Sequence, residues 1–137
     1  MELGYYEKRP RQEHRAYLEK RLLERPIVES VKFCDDFRMV IERDRKSSIY
    51  AYITNLYQIG VADVEEILAA APETTCIVST MDYNQYSGQA KEIARERGVG
   101  LFKSNELLGA VYYDGQAFLD YLPLGERERL RRQGGAS

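Results

Sequence analysis

Residues 76–111 read CIVSTMDYNQYSGQAKEIARERGVGLFKSNELLGAV, and this stretch decides the fold. Thr75 to Thr80 is a short β-branched apolar run bounded by polar residues. It is too short for a helix and predicts a buried, parallel strand. Ser87 is placed to cap the helix that follows, because its hydroxyl can accept from the unpaired N–H groups of a first turn. In that helix Ala90, Ile93, Ala94 and Arg97 recur at i, i+3, i+4 and i+7, so one small apolar face turns to the sheet. Gly98 stands where a left-handed C-terminal residue is wanted, and Val99 to Lys103 then forms a strand suited to a sheet edge. Ser104 can cap again, ahead of a last helix with Leu107, Leu108 and Val111 as its apolar stripe. Strand, helix, strand and helix in this order imply a right-handed parallel crossover.

Upstream, residues 61–71 place Val61, Val64, Ile67, Leu68 and Ala71 on one stripe of a helix that starts after Gly60 and ends before Pro72. Before it, Ile49 to Leu56 alternates, with Ile49, Ala51 and Ile53 on one face and Tyr50, Tyr52, Thr54 and Leu56 on the other, which predicts a strand. Ile27 to Cys34 and Phe37 to Glu42 are two further strands joined by a tight turn at Asp35-Asp36, since Asp tolerates turn dihedrals. The charged run RDRKSS, Arg43 to Ser48, reads as the tip of a second hairpin. A helix from Arg11 to about Glu24 precedes them, with Tyr17, Leu18, Arg21 and Leu22 on its semi-apolar side and Pro26 as its stop.

The domain organisation is then an N-terminal arm (residues 1–10), one domain (residues 11–122) and a charged C-terminal tail (residues 123–137). The 137 residues are enough to bury a core without disulfide or metal staples. A formal net charge of −2 gives no whole-molecule attraction to nucleic acid or anionic lipid. Cys34 and Cys76 each lie inside an apolar run and read as buried structural thiols. With no long hydrophobic run, the chain is expected to be cytoplasmic and to have no membrane partner.

The order of helix, three hairpin-joined strands, helix and strand resembles the restriction-endonuclease-like, PD-(D/E)xK nuclease superfamily, and within it the Mrr-like branch. The resemblance covers about residues 12–112. It is carried by VADVEEILAAAP for the helix after the third strand, TTCIVST for the central strand and SGQAKEIARERGVGLFKSNELLGAV for the remainder. It implies an α/β, three-layer fold of αβββαβα order, with a mixed sheet of about five strands and flanking helices. In that family a carboxylate at the start of the second strand and an acid and a lysine two residues apart in the third hold divalent metal and activate water. Asp36 lies where the first carboxylate would sit, with Asp35 beside it. The third strand has neither acid nor lysine: Tyr52 and Thr54, or Ala51 and Ile53 in the other register, occupy those positions.

Two other arrangements could supply the missing groups. Asp44-Arg45-Lys46 spells D-x-K, but in a hydrophilic hairpin tip. Glu65 or Glu66 could lend a carboxylate from the following helix. The lone His14 has no partner Cys or Asp in sequence, and Ser87-Gly88 lacks a histidine base or a phosphate-loop pattern. Lys8, Arg9 and Arg11 form a basic arm able to touch phosphate, and Tyr83 and Tyr86 sit in a loop at the carboxyl end of a parallel strand, where stacking on bases is feasible. Each has a plainer reading, as solvated charge and as sheet-face aromatics.

The expectation is therefore a catalytically degenerate nuclease-like domain that serves as a binding or assembly module for DNA or a protein partner, needing no cofactor. The aromatic sheet allows a homodimer. The first rival is an active metal-dependent DNA endonuclease with rearranged carboxylates, for which alone Mg²⁺ would be required, and in which Asp36 and Glu66 are the catalytic candidates. The second is a Rossmann-like small-ligand sensor.

Overall fold

Pro10 and Pro26 bracket the first helix, α1 (Gln12–Leu23), which turns Leu18 and Leu22, one helical turn apart, into the core at 1% and 0% exposure. Its buried stripe is narrower than the sequence predicts. Tyr17 is 60% exposed and lies 6.0 Å from the Arg21 guanidinium on the outer surface. The computed structural model of the chain describes residues 9–80 and 85–123. Pro10, the last residue of the expected arm, is itself buried, whereas the rest of that arm up to Lys8 and the tail from residue 124 lie outside the described residues.

β1 (Val28–Phe33) and β2 (Arg38–Arg43) form an antiparallel hairpin, and β2 pairs in turn with β3 (Lys46–Thr54). At the first turn Asp35 accepts from the backbone N–H groups of Phe37 and Arg38 at 2.9 and 2.8 Å, the local bonding that makes Asp a turn residue. The second turn is tighter than the charged run predicts. Arg43 pairs with Lys46, leaving only Asp44 and Arg45 between the strands, and Arg45 takes a φ of 61°. β3 thus begins at Lys46 and ends at Thr54, three residues before the expected start and two before the expected end. Polar Ser47 is admitted to the strand because its backbone and hydroxyl both bond to Asp114.

After β3 come β4 (Gln58–Ile59), α2 (Val61–Ala70), β5 (Cys76–Ser79), β6 (Gln85–Tyr86), α3 (Gly88–Glu96), β7 (Gly100–Lys103), α4 (Ser104–Ala110) and α5 (Gly115–Leu119). Ser87 caps α3 by accepting from Ala90 N at 3.0 Å, and Gly98 beyond it has a φ of 74°, both as expected. Ser104 does not cap α4. It is the first helical residue, its hydroxyl donates to Ser79 O at 2.8 Å, and the helix start is closed instead by Glu106, which accepts from Lys103 N at 2.8 Å. The two-residue strands β4 and β6 pair in a small parallel ladder of their own, and neither β4, β6 nor α5 is long enough to show a period in sequence.

The main sheet has five strands in the order β1-β2-β3-β5-β7, antiparallel across β1–β3 and parallel across β3–β5–β7. The fold is α/β with a mixed sheet. One apolar cluster joins Leu18 and Leu22 of α1, Leu107 and Leu108 of α4 and Phe118 of α5 to Met39, Ile41, Ile49, Ala51 and Ile53 of β2 and β3. A second joins Val64, Ile67 and Leu68 of α2 and Ala90 and Ala94 of α3 to Ile77 and Leu101. The alternation along β3 explains the division: Ile49, Ala51 and Ile53 enter the first cluster, and Tyr52 packs against the second. Cys76 is fully buried in the first cluster, but Cys34, expected to be buried too, lies past the end of β1 and is exposed. No helix among the described residues is long and apolar enough to cross a membrane.

Candidate functional site

The parallel strands β3, β5 and β7 end in register, with Thr54 opposite Ser79 and Ser79 opposite Lys103. β2 starts beside the end of β3, Arg38 pairing with Tyr52, so the β1–β2 turn reaches the same end of the sheet. Asn55 follows the last residue of β3 and accepts from the Thr80 hydroxyl at 3.0 Å. Against this end the chain entering α1 folds back, and between the two runs a cleft of about 490 Å³ lined by Arg9, Pro10, Arg11, Gln12, Arg15, Asp36 and Asn55.

Three of those side chains are arginines, and each is held differently. Arg15 is the fixed one: it donates to Gln12 Oε1 at 2.9 Å and to the carbonyl of Asp35 at 3.0 Å, and its guanidinium stacks 4.2 Å from the centre of the Phe33 ring. Arg9 lies at 4.0 Å from the Asp36 carboxylate, with both side chains nearly half exposed. Arg11 is the N-cap of α1 yet has no oxygen to offer the first turn, and it is exposed. The positive end of the α1 dipole adds its partial charge to theirs.

Asp36 is the carboxylate the sequence reading places at the first metal position, and it faces arginine in this cleft. Asp35, beside it, belongs to the turn. Burial pushes its carboxyl up, but the Phe37 and Arg38 N–H groups and the Arg38 guanidinium at 2.7 Å together hold it below the usual carboxylate range. Glu66 is elsewhere. It lines a separate, small cleft of about 50 Å³ with Tyr52, Thr54, Leu56, Asp63, Ile67 and Ala70. The structure therefore brings Glu66 to the third-strand positions Tyr52 and Thr54, and places Asp36 in a different cleft. Tyr52 is stacked on Phe37 with ring centres 5.4 Å apart and planes 20° apart, and Thr54 is 1% exposed. Among the described residues, no three His, Cys, Asp or Glu side chains gather as a metal site would require.

The remaining candidates are dispersed. Glu65 pairs with Arg97. Asp44 lies in the β2–β3 turn, and Lys46 is the first residue of β3, so the third strand does hold a lysine, at the end away from Tyr52 and Thr54; neither residue lines either cleft. His14 is half-buried on α1 with its Nδ1 unpartnered. Lys8 and Tyr83 lie outside the described residues. Tyr86 packs, half-buried, on the second core cluster and donates its hydroxyl to the Glu106 carboxylate at 2.9 and 3.0 Å, which makes it a structural tie. Lys91 completes that group. It donates to Leu101 O on the edge strand at 2.8 Å, its ammonium stands 4.4 Å from the centre of the Phe102 ring, and burial pulls it down to about 8 against the opposing pull of Glu106. Its evident task is to close the free side of β7.

Sequence reasoning found Arg9, Arg11 and Asp36 but missed Arg15 and Asn55. Arg15 looked like one more charge on a polar helix, and Asn55 fell inside the strand predicted over Ile49 to Leu56, which ends at Thr54; neither has a motif, and only the fold brings them to one cleft. Compared with known proteins, the chain matches no family model, no curated protein and no solved structure.

Proposed function

We propose that this chain is a nuclease-like domain without nuclease chemistry that binds nucleic acid, with the cleft at the head of α1 as its phosphate-contacting site. One observation carries the reading: three arginines, Arg9, Arg11 and Arg15, line a single cleft of about 490 Å³. Planar guanidinium forks match phosphate oxygens and cannot be neutralised at physiological pH. The degenerate catalytic strand supports the same reading. At the positions where the restriction-endonuclease-like family keeps an acid and a lysine, this chain keeps Tyr52, stacked on Phe37, and the buried Thr54. A phenol ring and a hydroxyl supply no anionic ligand for a divalent cation and no positive charge for a developing phosphorane. The three-layer αβββαβα assignment and the kinship with that family belong to this proposal.

The test is a fluorescently labelled oligonucleotide titrated with the whole chain at low ionic strength, with and without Mg²⁺ or Mn²⁺. Retention without cleavage is expected, and Arg9→Ala with Arg11→Ala, both exposed residues, should weaken it about tenfold or more, each phosphate contact being lost with its released counterions. Metal-dependent cleavage that disappears in Asp36→Ala would replace this reading with the active endonuclease. No retention at all would remove nucleic acid as the ligand.

A further inference from the structure

Outside the cleft, five of the seven described arginines are paired with carboxylates. Arg21 pairs with Glu24, Arg38 with Asp35 and Glu73, Arg43 with Asp114, Arg95 with Asp120 and Arg97 with Glu65. A protein that lies along a polynucleotide needs a lane of uncompensated charge, one cation for each phosphate it covers. Among the described residues, the arginines of the cleft form one concentrated spot, in a molecule whose formal charge is −2. Moreover, that spot carries its own anion, for Asp36 stands in the cleft at 4.0 Å from Arg9.

We infer that the arginine cleft takes one terminal phosphomonoester, on a strand end or a mononucleotide, and that Asp36 is the internal counter-ion which the incoming phosphate displaces from Arg9. The inference rests on the reading of the cleft as a phosphate site and narrows its ligand. A terminal phosphate bears a second negative charge and a third free oxygen, so it can engage Arg9, Arg11 and Arg15 together. An internal diester has two free oxygens and one charge, and needs neighbours bound at further cations to reach the same affinity. The volume of about 490 Å³ suits one nucleotide, within the ordinary range of small-ligand clefts. The role given to Asp36 is the reverse of a metal ligand's: it opposes binding and does not assist it.

The experiment compares 3′-labelled single strands ending in 5′-phosphate or 5′-hydroxyl, and 5′-labelled strands ending in 3′-phosphate or 3′-hydroxyl, bound to the whole chain in EDTA. Competition by a nucleoside monophosphate separates a strand end from a free nucleotide as the source. Expected are tighter binding of a phosphorylated end by about tenfold and a salt dependence with a log–log slope of about −2 or shallower. Asp36→Asn, which keeps shape and removes charge, should tighten binding by about two- to fivefold, the usual worth of one exposed ion pair. Equal affinity for phosphate and hydroxyl ends, with a slope of about −5 or steeper, would overturn the inference and leave nucleic-acid binding standing. Loss of affinity in Asp36→Asn would overturn it as well, because the carboxylate would then be holding the ligand. If no strand binds, the inference and the reading beneath it fall together.

Discussion

Arg43 is the residue on which the first core layer closes. Its side chain is 1% exposed and donates to Ser47 O at 3.0 and 2.8 Å, Val111 O at 3.0 Å, Tyr113 O at 2.6 Å and Asp114 Oδ1 at 3.0 Å. It thereby ties the β2–β3 hairpin to the loop between α4 and α5. Arg43→Met, which fills the volume but leaves those carbonyls without their donor and Asp114 with Ser47 alone, should lower stability by about 2–4 kcal/mol in urea unfolding. The Ser47 hydroxyl and backbone N–H, with Arg43, hold Asp114 down at about 2. An acid with a lowered folded pKa stabilises above its unfolded value, so this support is present at neutral pH and is lost as pH falls from about 4 towards 2. Asp114→Asn should therefore be less stable than the parent at pH 7, and the gap between the two should close across that window. Lys91 runs the other way. Its folded value of about 8 lies below the 10.5 of a free lysine, so the unfolded chain binds more protons between those limits and stability rises with pH. Relative to Lys91→Met, the parent should gain roughly 1–3 kcal/mol between pH 8 and 10.5, read from paired urea melts.

At the scale of elements, the places the sequence marks are those where one residue type answers one backbone need. Ser87 caps α3, and Ser87→Ala should cost about 1 kcal/mol through the orphaned Ala90 N–H. Gly100 is the opposite kind of position, essential for a reason no local pattern reveals. A Cβ there would stand 2.6 Å from the Phe102 ring and 2.9 Å from the Phe118 ring, two core aromatics packed edge to face at 5.2 Å. Gly100→Ala should lower stability by about 1–3 kcal/mol, and near-ultraviolet circular dichroism should report the displaced rings. The long elements α1, α2, α3 and β3 were legible because each spans enough residues to show its period, and β5 because it is a short apolar run between polar residues. β4 and β6 were not, being two residues each and held by backbone bonds to each other. Ser104 misled because a serine before an apolar stripe reads as a cap, while its hydroxyl serves Ser79 O across the sheet end.

Across the whole molecule, the sheet is dressed unevenly. At β5 both faces are covered, and all four residues are buried. At β1 and β2 the described residues cover only one face, since neither strand contributes to the second cluster, and the row Lys32, Val40, Tyr50 runs across the outer face with Tyr50 44% exposed. Strands with one open face and a free edge open locally before the chain unfolds. Hydrogen exchange should accordingly find the amides of Ile77 and Val78 protected to the level of global unfolding, with those of β1 exchanging about tenfold faster or more. Uniform protection across the five strands would show that the uncovered face is stabilised by something beyond this fold.

Apolar period and turn chemistry, which are local, were enough to write the order of the main helices and strands. The sequence alone also placed Arg9, Arg11 and Asp36 among the residues of interest. That Asp36 would face arginines, that Glu66 would lie in a separate cleft, and that Arg15 and Asn55 would join the first group depended on how the head of α1 meets the ends of β2 and β3. Charged side chains carry no periodic signal of their own partners, because an ion pair is fixed by distance in space and not by spacing along the chain.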